Sequence, residues 1–445
     1  MTSSIGLQAG VARQIISPPK GIYLIGYGDR TKGNIGVHDD LTATALVLSD
    51  GQETVAIMAL DLLAINEFIV DRIRRQLEPV AVLLCCSHTH SGPITFADEK
   101  SPRRNREYID LLVERVCAAV NLAKQQLVPA RLQFARGKAD VGINRREKMA
   151  DGHFEIGRNP RGARDDSLQV VNIFEEREGG HRLATLVNYA CHGTVLGPDN
   201  LLVSADWIGA MRREVENRLG GLAMFLQGAA ANINPDMYWQ DERAYDKVNE
   251  QGRQVAENVV AVSQTTPIVF QAHPLTLERT VAWLPTEAAV TSSKPPRNYG
   301  KELLKMAKLP PFMAIFADAL LNQRYPWRSV IEAKDGYWSV PMRINALRIG
   351  ALGLITYAAE TFTEIGLKVK ENSPTAYTLF ASVSDGCISY LHTASSHPEG
   401  GYEVDTAPLA YRYPGRLQAK CENIALEASR GLLENLWQAD EPGAQ

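Results

Sequence analysis

The chain has 445 residues, 45% hydrophobic and 22% charged, enough to bury one large core or two smaller ones. Its 47 Lys and Arg against 51 Asp and Glu give a net charge of −4, which offers no overall attraction to nucleic acid or to an anionic membrane and leaves a small molecule as the expected partner. Residues 1–19 lack the basic-then-apolar pattern of a signal peptide, and no apolar run approaches the ~20 residues that span a bilayer, so a cytoplasmic protein without a membrane span is expected. Nothing in the composition indicates an oligomeric state.

In chain order, residues 41–62 read as two strands around Asp50-Gly51, a pair suited to the positive φ of a hairpin turn. A helix over 64–77 and an apolar strand over 80–87 follow, and this strand, helix, strand unit delivers His88-Thr89-His90 to a strand end. A helix is expected over 106–127, a strand near 131–136, and an irregular arginine-rich stretch over 144–164. Strands at 168–174 and 183–190 come next, the second running into Cys191-His192-Gly193. Residues 206–218 read as a helix and 222–227 as a strand.

Between 236 and 340 the pattern is a helix at 240–263, strands near 267–282 and a Pro/Lys-rich run at 294–311, together expected to form a peripheral insertion or lid. A second hairpin over 343–357 ends at Glu360, a strand carries the chain into Tyr390, and a last helix covers 415–436. The fold class is α/β, with residues 1–445 as one mixed-sheet domain. Cysteines 85, 86, 117, 191, 387 and 421 form no C-x-x-C pair and read as reduced packing residues.

Alternate residues of an extended chain share a face, so H-x-H at 88–90 can present two imidazoles to a metal. Alone the pattern is weak, because two hydrogen-bonded polar residues at a strand end give the same string and are the commoner case. Metallo-β-lactamase-like enzymes would continue with Asp-His where this chain has Ser91-Gly92, and the eightfold strand and helix alternation of an amidohydrolase barrel is missing.

The surrounding strings are more specific. SHTHSGP at 87–93, Gly36-Val37-His38 before LTATALVLSDG, Ile143-Asn144-Arg145-Arg146, Asn188-Tyr189-Ala190-Cys191-His192-Gly193, Ser204-Ala205-Asp206, QGAAANINP at 227–235, AETFTE at 359–364 and GCISYLHTASSHPEGGYE at 386–403 occur in order along most of the chain. Together they resemble the catalytic domain of the neutral and alkaline ceramidases. The resemblance implies an amide hydrolase of that domain's mixed-sheet type, without the additional C-terminal β-sandwich domain of the secreted members.

Carried over by position, the resemblance implies Zn²⁺ held by His88, His192, Glu360 and Tyr390, a set of imidazole, carboxylate and phenol donors that suits this ion. Each has a structural alternative: a core histidine, a helix N-terminal carboxylate, a strand aromatic. His90 is the candidate for proton transfer, Arg145 and Tyr402 for carbonyl and oxyanion support, and Asp61 and Asp206 either orient the histidines or cap turns. The arginines at 145, 146, 158, 161 and 164 mark either an anion pocket or a solvated loop.

Two departures matter. Gly228 and Ala229–Ala231 stand where the family has a serine with a catalytic role, and Gly228 is expected to widen the substrate pocket and bare N–H donors. With the shorter tail and absent leader, this moves the expected substrate from a sphingolipid to a small N-acyl amide. An ester or lactone hydrolase and a non-catalytic zinc-binding protein are the rival readings.

Overall fold

The computed structural model describes residues 6–28, 30–95, 102–236, 243–265, 268–270, 274–296 and 330–438. The first half contains β1 (Gln8–Ile15), β2 (Gly36–Val37), β3 (Thr42–Ser49), β4 (Thr54–Leu60), α1 (Glu67–Leu77), β5 (Ala81–Cys86), α2 (Arg103–Gln125), β6 (Val128–Lys138), β7 (Gly142–Lys148) and β8 (Phe154–Asn159). It continues through β9 (Ser167–Glu175), β10 (Arg182–Tyr189), β11 (Leu202–Val203), α3 (Asp206–Leu219), β12 (Leu222–Gln227) and β13 (Ile233–Pro235). The second half adds α4 (Ala244–Gln264), β14 (Ile268–Phe270), β15 (Leu275–Ala289), β16 (Glu332–Lys334), β17 (Tyr337–Ile349), β18 (Leu352–Tyr357), β19 (Glu360–Thr361), α5 (Thr363–Glu371), β20 (Thr378–Ala381), β21 (Tyr390–Leu391) and α6 (Cys421–Gln438).

Two mixed sheets carry the fold. The larger runs β12-β10-β9-β6-β1-β3-β4-β5, with β14 beside β6, and the smaller runs β15-β17-β18-β20, with β16 beside β17. The β4/β5, β10/β12 and β18/β20 pairs are parallel. Alternation explains how the sheets stack. Val55, Ile57 and Ala59 of β4 join Leu347, Leu352 and Leu354 of the smaller sheet in one cluster, while Ala56, Met58 and Leu60 face the cluster under α1 and α2. Residues of α3 and α4 cover the β9/β10/β12 half, and α5 and α6 cover the outer face of the smaller sheet. The result is four layers, helix, sheet, sheet, helix, with both sheets buried on both faces, which is why β5 reads as an unbroken apolar run.

Asp385 ties the two sheets together. Its backbone N–H donates to the Leu84 carbonyl at 2.8 Å, and its fully buried carboxylate accepts from Leu84 N, Asn345 Nδ2 and an Arg74 NH2. One side chain thus joins β5, β17 and α1.

Three expectations change. The arginine-rich stretch over 144–164 is largely a hairpin, β7 paired with β8, whose alternation is masked because Arg145 and Arg146 are buried in ion pairs. Within 236–340, α4 and β15 are packed parts of the fold, β15 pairing with β17 along nearly its whole length, and the Pro/Lys-rich run lies mostly outside the described residues. The last helix starts at Cys421, after a turn. No described helix is long and apolar enough to cross a membrane.

Asp385→Ala removes the carboxylate that Arg74, Asn345 and Leu84 N share at the sheet junction, leaving Arg74 with Val82 O and Asn345 with Thr356. It is expected to cost about 3 kcal/mol of unfolding free energy, read from denaturant midpoints.

Candidate active site

Backbone pairing brings five separated segments to one point. After β5, Ser87 N and His88 N donate to Leu60 O and Leu62 O, and His88 adopts a left-handed φ of 62°, an unusual conformation for a residue with a Cβ. The loop after β10 is pressed against it: His90 N donates to Gly193 O at 3.0 Å, and Thr89 bridges Gly193. A Cβ on Gly193 would lie 3.1 Å from Thr89 Cα and 3.2 Å from the His88 carbonyl, so a side chain there would push the two backbones apart by a few tenths of an ångström. The short parallel ladder between β19 and β21 sets Glu360 directly beside Tyr390. Pairing of β13 with β7 brings Arg145 alongside.

The three imidazoles of His88, His90 and His192 are buried, with their ring nitrogens within 4.8 Å of one another, a grouping that can hold a metal ion. His88 Nδ1 lies 2.8 Å from Leu63 O and His192 Nδ1 lies 2.9 Å from Ile233 O. A carbonyl can only accept, so each Nδ1 carries a proton and each ring turns its Nε2 inward. Both meet Glu360 Oε2, at 3.2 Å from His88 and 3.5 Å from His192, and that buried oxygen has no hydrogen-bond partner. Two imidazole Nε2 atoms and a carboxylate oxygen converging on one buried point are donor types that hold a divalent cation, so the residues present fit a metal.

Charge follows from these contacts. Burial lowers the His192 pKa to about 4, assisted by Arg145, and burial with the neighbouring imidazoles holds His90 well below the usual histidine range. Burial alone would raise the Glu360 carboxyl, but His88 and His192 pull it well below the ordinary value. Tyr390 moves well upward through burial and the Glu360 charge, and its phenol hydrogen-bonds that carboxylate. The Arg145 guanidinium is buried, but Tyr390, Glu403 and Glu360 keep it charged. It donates to Tyr390 OH at 3.2 Å, Asn234 Oδ1 at 3.2 Å and Glu403 Oε1 at 2.9 Å, and its NH1 lies 3.3 Å from His192 Nε2. Tyr402 sits at the rim, 37% exposed, with its ring 5.6 Å from that of Tyr390.

Seven of the sequence-derived candidates therefore meet in one place: His88, His90, His192, Glu360, Tyr390, Arg145 and Tyr402. Gly228 does not join them as a substrate contact. Its N–H is committed to Tyr189 O at 2.9 Å, and a Cβ there would sit 3.0 Å from Ala190 backbone atoms, so it packs against β10 rather than opening a pocket. Asp61 and Asp206 do not orient the histidines. Asp61 accepts from Thr42 and Arg212, while Asp206 accepts from the backbone N–H groups of Val195, Leu196 and Trp207. Most of the other arginines are paired, Arg146 with Glu403 and Glu399, Arg158 with Asp236, and Arg164 with Asp140, and form no anion pocket.

Sequence reasoning missed the orienting groups. Two are the carbonyls of Leu63 and Ile233, which leave no side-chain signal. A third is Arg30, buried, whose NH1 donates to the His90 carbonyl at 2.5 Å. Asn234 and Glu403 were legible in principle, because a buried strand arginine requires acceptors.

Buried imidazoles and a carboxylate able to hold a metal, beside a fixed guanidinium, make a site of the metal-centre class. The chain belongs to the neutral/alkaline non-lysosomal ceramidase family, whose N-terminal profile matches residues 8–262. This membership implies hydrolysis of an amide bond. The fold is that of the neutral ceramidase from Pseudomonas aeruginosa, at 17% identity and a TM-score of 0.72, covering 100% of this chain and 76% of that one. A ceramidase complexed with C2 is similar at 17% identity and a TM-score of 0.73, covering 99% of this chain and 77% of that one.

Protonation competes with metal binding, so the depressed His192 pKa has a consequence. The His192 ring, followed by NMR in the metal-free protein, is expected to stay neutral through the ordinary histidine value of about 6.5 and to take up a proton only toward about pH 4. Titration of His192 centred near 6.5 would contradict this.

Proposed function

We propose that the protein is a zinc-dependent hydrolase of the C–N amide bond of a small N-acylated compound. The observation that carries this reading is the convergence of two tautomer-fixed Nε2 atoms on the partnerless Oε2 of Glu360, beside the buried Arg145 cation. His88, His192, Glu360 and Tyr390 would hold the ion, a donor set of borderline nitrogens and hard oxygens that suits zinc. Bound there, zinc supplies Lewis acidity, lowering the pKa of a water and polarising a carbonyl.

The remaining residues divide the work. Arg145 retains its charge in a dry setting and binds the substrate carbonyl oxygen, where negative charge grows as the tetrahedral centre forms. His90 is neutral and buried, with Nδ1 lacking a partner and Nε2 3.4 Å from His88 Nε2, so it can take the proton of the attacking water and return it to the departing amine nitrogen. Tyr402, at the rim, supports the acyl carbonyl from the solvent side. All six cysteines are free and buried, which supports work in a reducing compartment such as the cytoplasm.

Elemental analysis of gently purified protein is expected to give about one zinc per chain. The zinc-loaded protein should cleave N-acyl amides in preference to the matching esters and lactones; preferential ester or lactone cleavage would reassign the reaction, and no turnover would leave a binding protein. His192→Ala and Glu360→Ala should each lose both metal and turnover, whereas Arg145→Met should keep the metal and lower kcat by roughly a hundredfold to a thousandfold. Gly228→Ser overpacks Ala190 and is expected to cost about 1–3 kcal/mol without raising turnover.

A further inference from the structure

We infer that Glu403 is the positioning residue that fixes the direction of Arg145 and ties it to the Tyr402 turn. The inference rests on the hydrolase reading for its catalytic consequence, and on geometry for everything else. Glu403 is 2% exposed, and each carboxylate oxygen has its own cation: Oε1 accepts from Arg145 Nε at 2.9 Å and Oε2 from Arg146 NH1 at 2.8 Å. Arg146 is itself immobilised, donating to Glu399 Oε2 at 3.2 Å and the Gly400 carbonyl at 2.9 Å while lying over the rings of Phe154 and Phe362. The carboxylate is therefore held from behind before it meets Arg145.

A guanidinium is planar, and its direction is set by which N–H groups are engaged. Glu403 takes Nε, Asn234 takes NH1 and Tyr390 takes NH2, three acceptors on three separate segments that leave the plane no freedom to turn. Without Glu403, the other carboxylate acting on Arg145 is Glu360, so the guanidinium would be drawn toward a residue of the donor cluster instead of a substrate carbonyl. Buried ionic triads of this kind contribute little to stability compared with apolar packing, and orientation is the better account of their presence. Glu403 also follows Tyr402 directly in a short π-helical turn, so one carboxylate ties together the two residues assigned above to the substrate carbonyl.

The test compares zinc-loaded wild type with Glu403→Gln and Glu403→Asp. The glutamine keeps the volume but loses the charge, and it turns an NH2 toward one arginine; the aspartate keeps the charge with a shorter reach. Glu403→Gln is expected to lower kcat on an N-acyl amide roughly tenfold to a hundredfold with KM little changed and about one zinc still bound, and Glu403→Asp should recover part of the loss. Nitrogen NMR of the arginine side chains, with the Arg145 signal assigned through Arg145→Lys, should show a slowly exchanging Nε–H in wild type that is lost in Glu403→Gln. If Glu403→Gln retains wild-type kcat and that protected Nε–H, or loses kcat only in proportion to zinc or folded protein, the inference is overturned. If wild type cleaves no amide yet the protected Nε–H disappears in Glu403→Gln, the positioning link stands and the hydrolase reading is the part that fails.

Discussion

Everything at the centre depends on two hydrogen bonds that point away from it. His88 and His192 each give their Nδ1 proton to a backbone carbonyl, of Leu63 and of Ile233, and so turn both Nε2 atoms toward the same oxygen of Glu360. Two imidazole nitrogens and a carboxylate oxygen meet in one buried place. Such an arrangement is costly unless a cation lies among them, and the fold spends a left-handed residue at His88 and a close glycine contact at Gly193 to maintain it.

The scaffold supplies this geometry from several strand ends at once. His88 follows β5, His192 follows β10, and Glu360 and Tyr390 lie on adjacent two-residue strands just past β18 and β20. Because β5 and β10 belong to one sheet while β18 and β20 belong to the other, the donors are aligned only when the sheets pack in register. Asp385, bonded to β5, β17 and α1 together, is the side chain that joins them, so the stability of the fold and the alignment of the site share one junction.

Much of this was legible in the sequence. The turn at Asp50-Gly51, the parallel β4/β5 unit and both strand-ending histidines follow from local pattern, because a buried strand and the loop that ends it are short-range features. The ordered strings of a known family added Glu360, Tyr390, Arg145, His90 and Tyr402, which no local rule would select. What failed depended on direction. Gly228 looked like an opening, yet its missing Cβ points at Ala190, and of the two roles open to Asp61 and Asp206 the histidine-orienting one falls to backbone carbonyls, while Asp206 accepts from backbone N–H groups. The hairpin of β7 and β8 was hidden because charged residues usually mark solvent, and here Glu403 allows two of them to be buried.

The central claim is that one metal ion is shared by His88, His192, Glu360 and Tyr390 and serves amide hydrolysis. Anomalous diffraction at the zinc absorption edge from crystals of the protein as purified locates the ion directly. The account predicts one strong peak bounded by the Nε2 atoms of His88 and His192, a Glu360 carboxylate oxygen and the Tyr390 phenol. No peak after zinc addition, or a peak on the histidines that excludes Glu360, would contradict it.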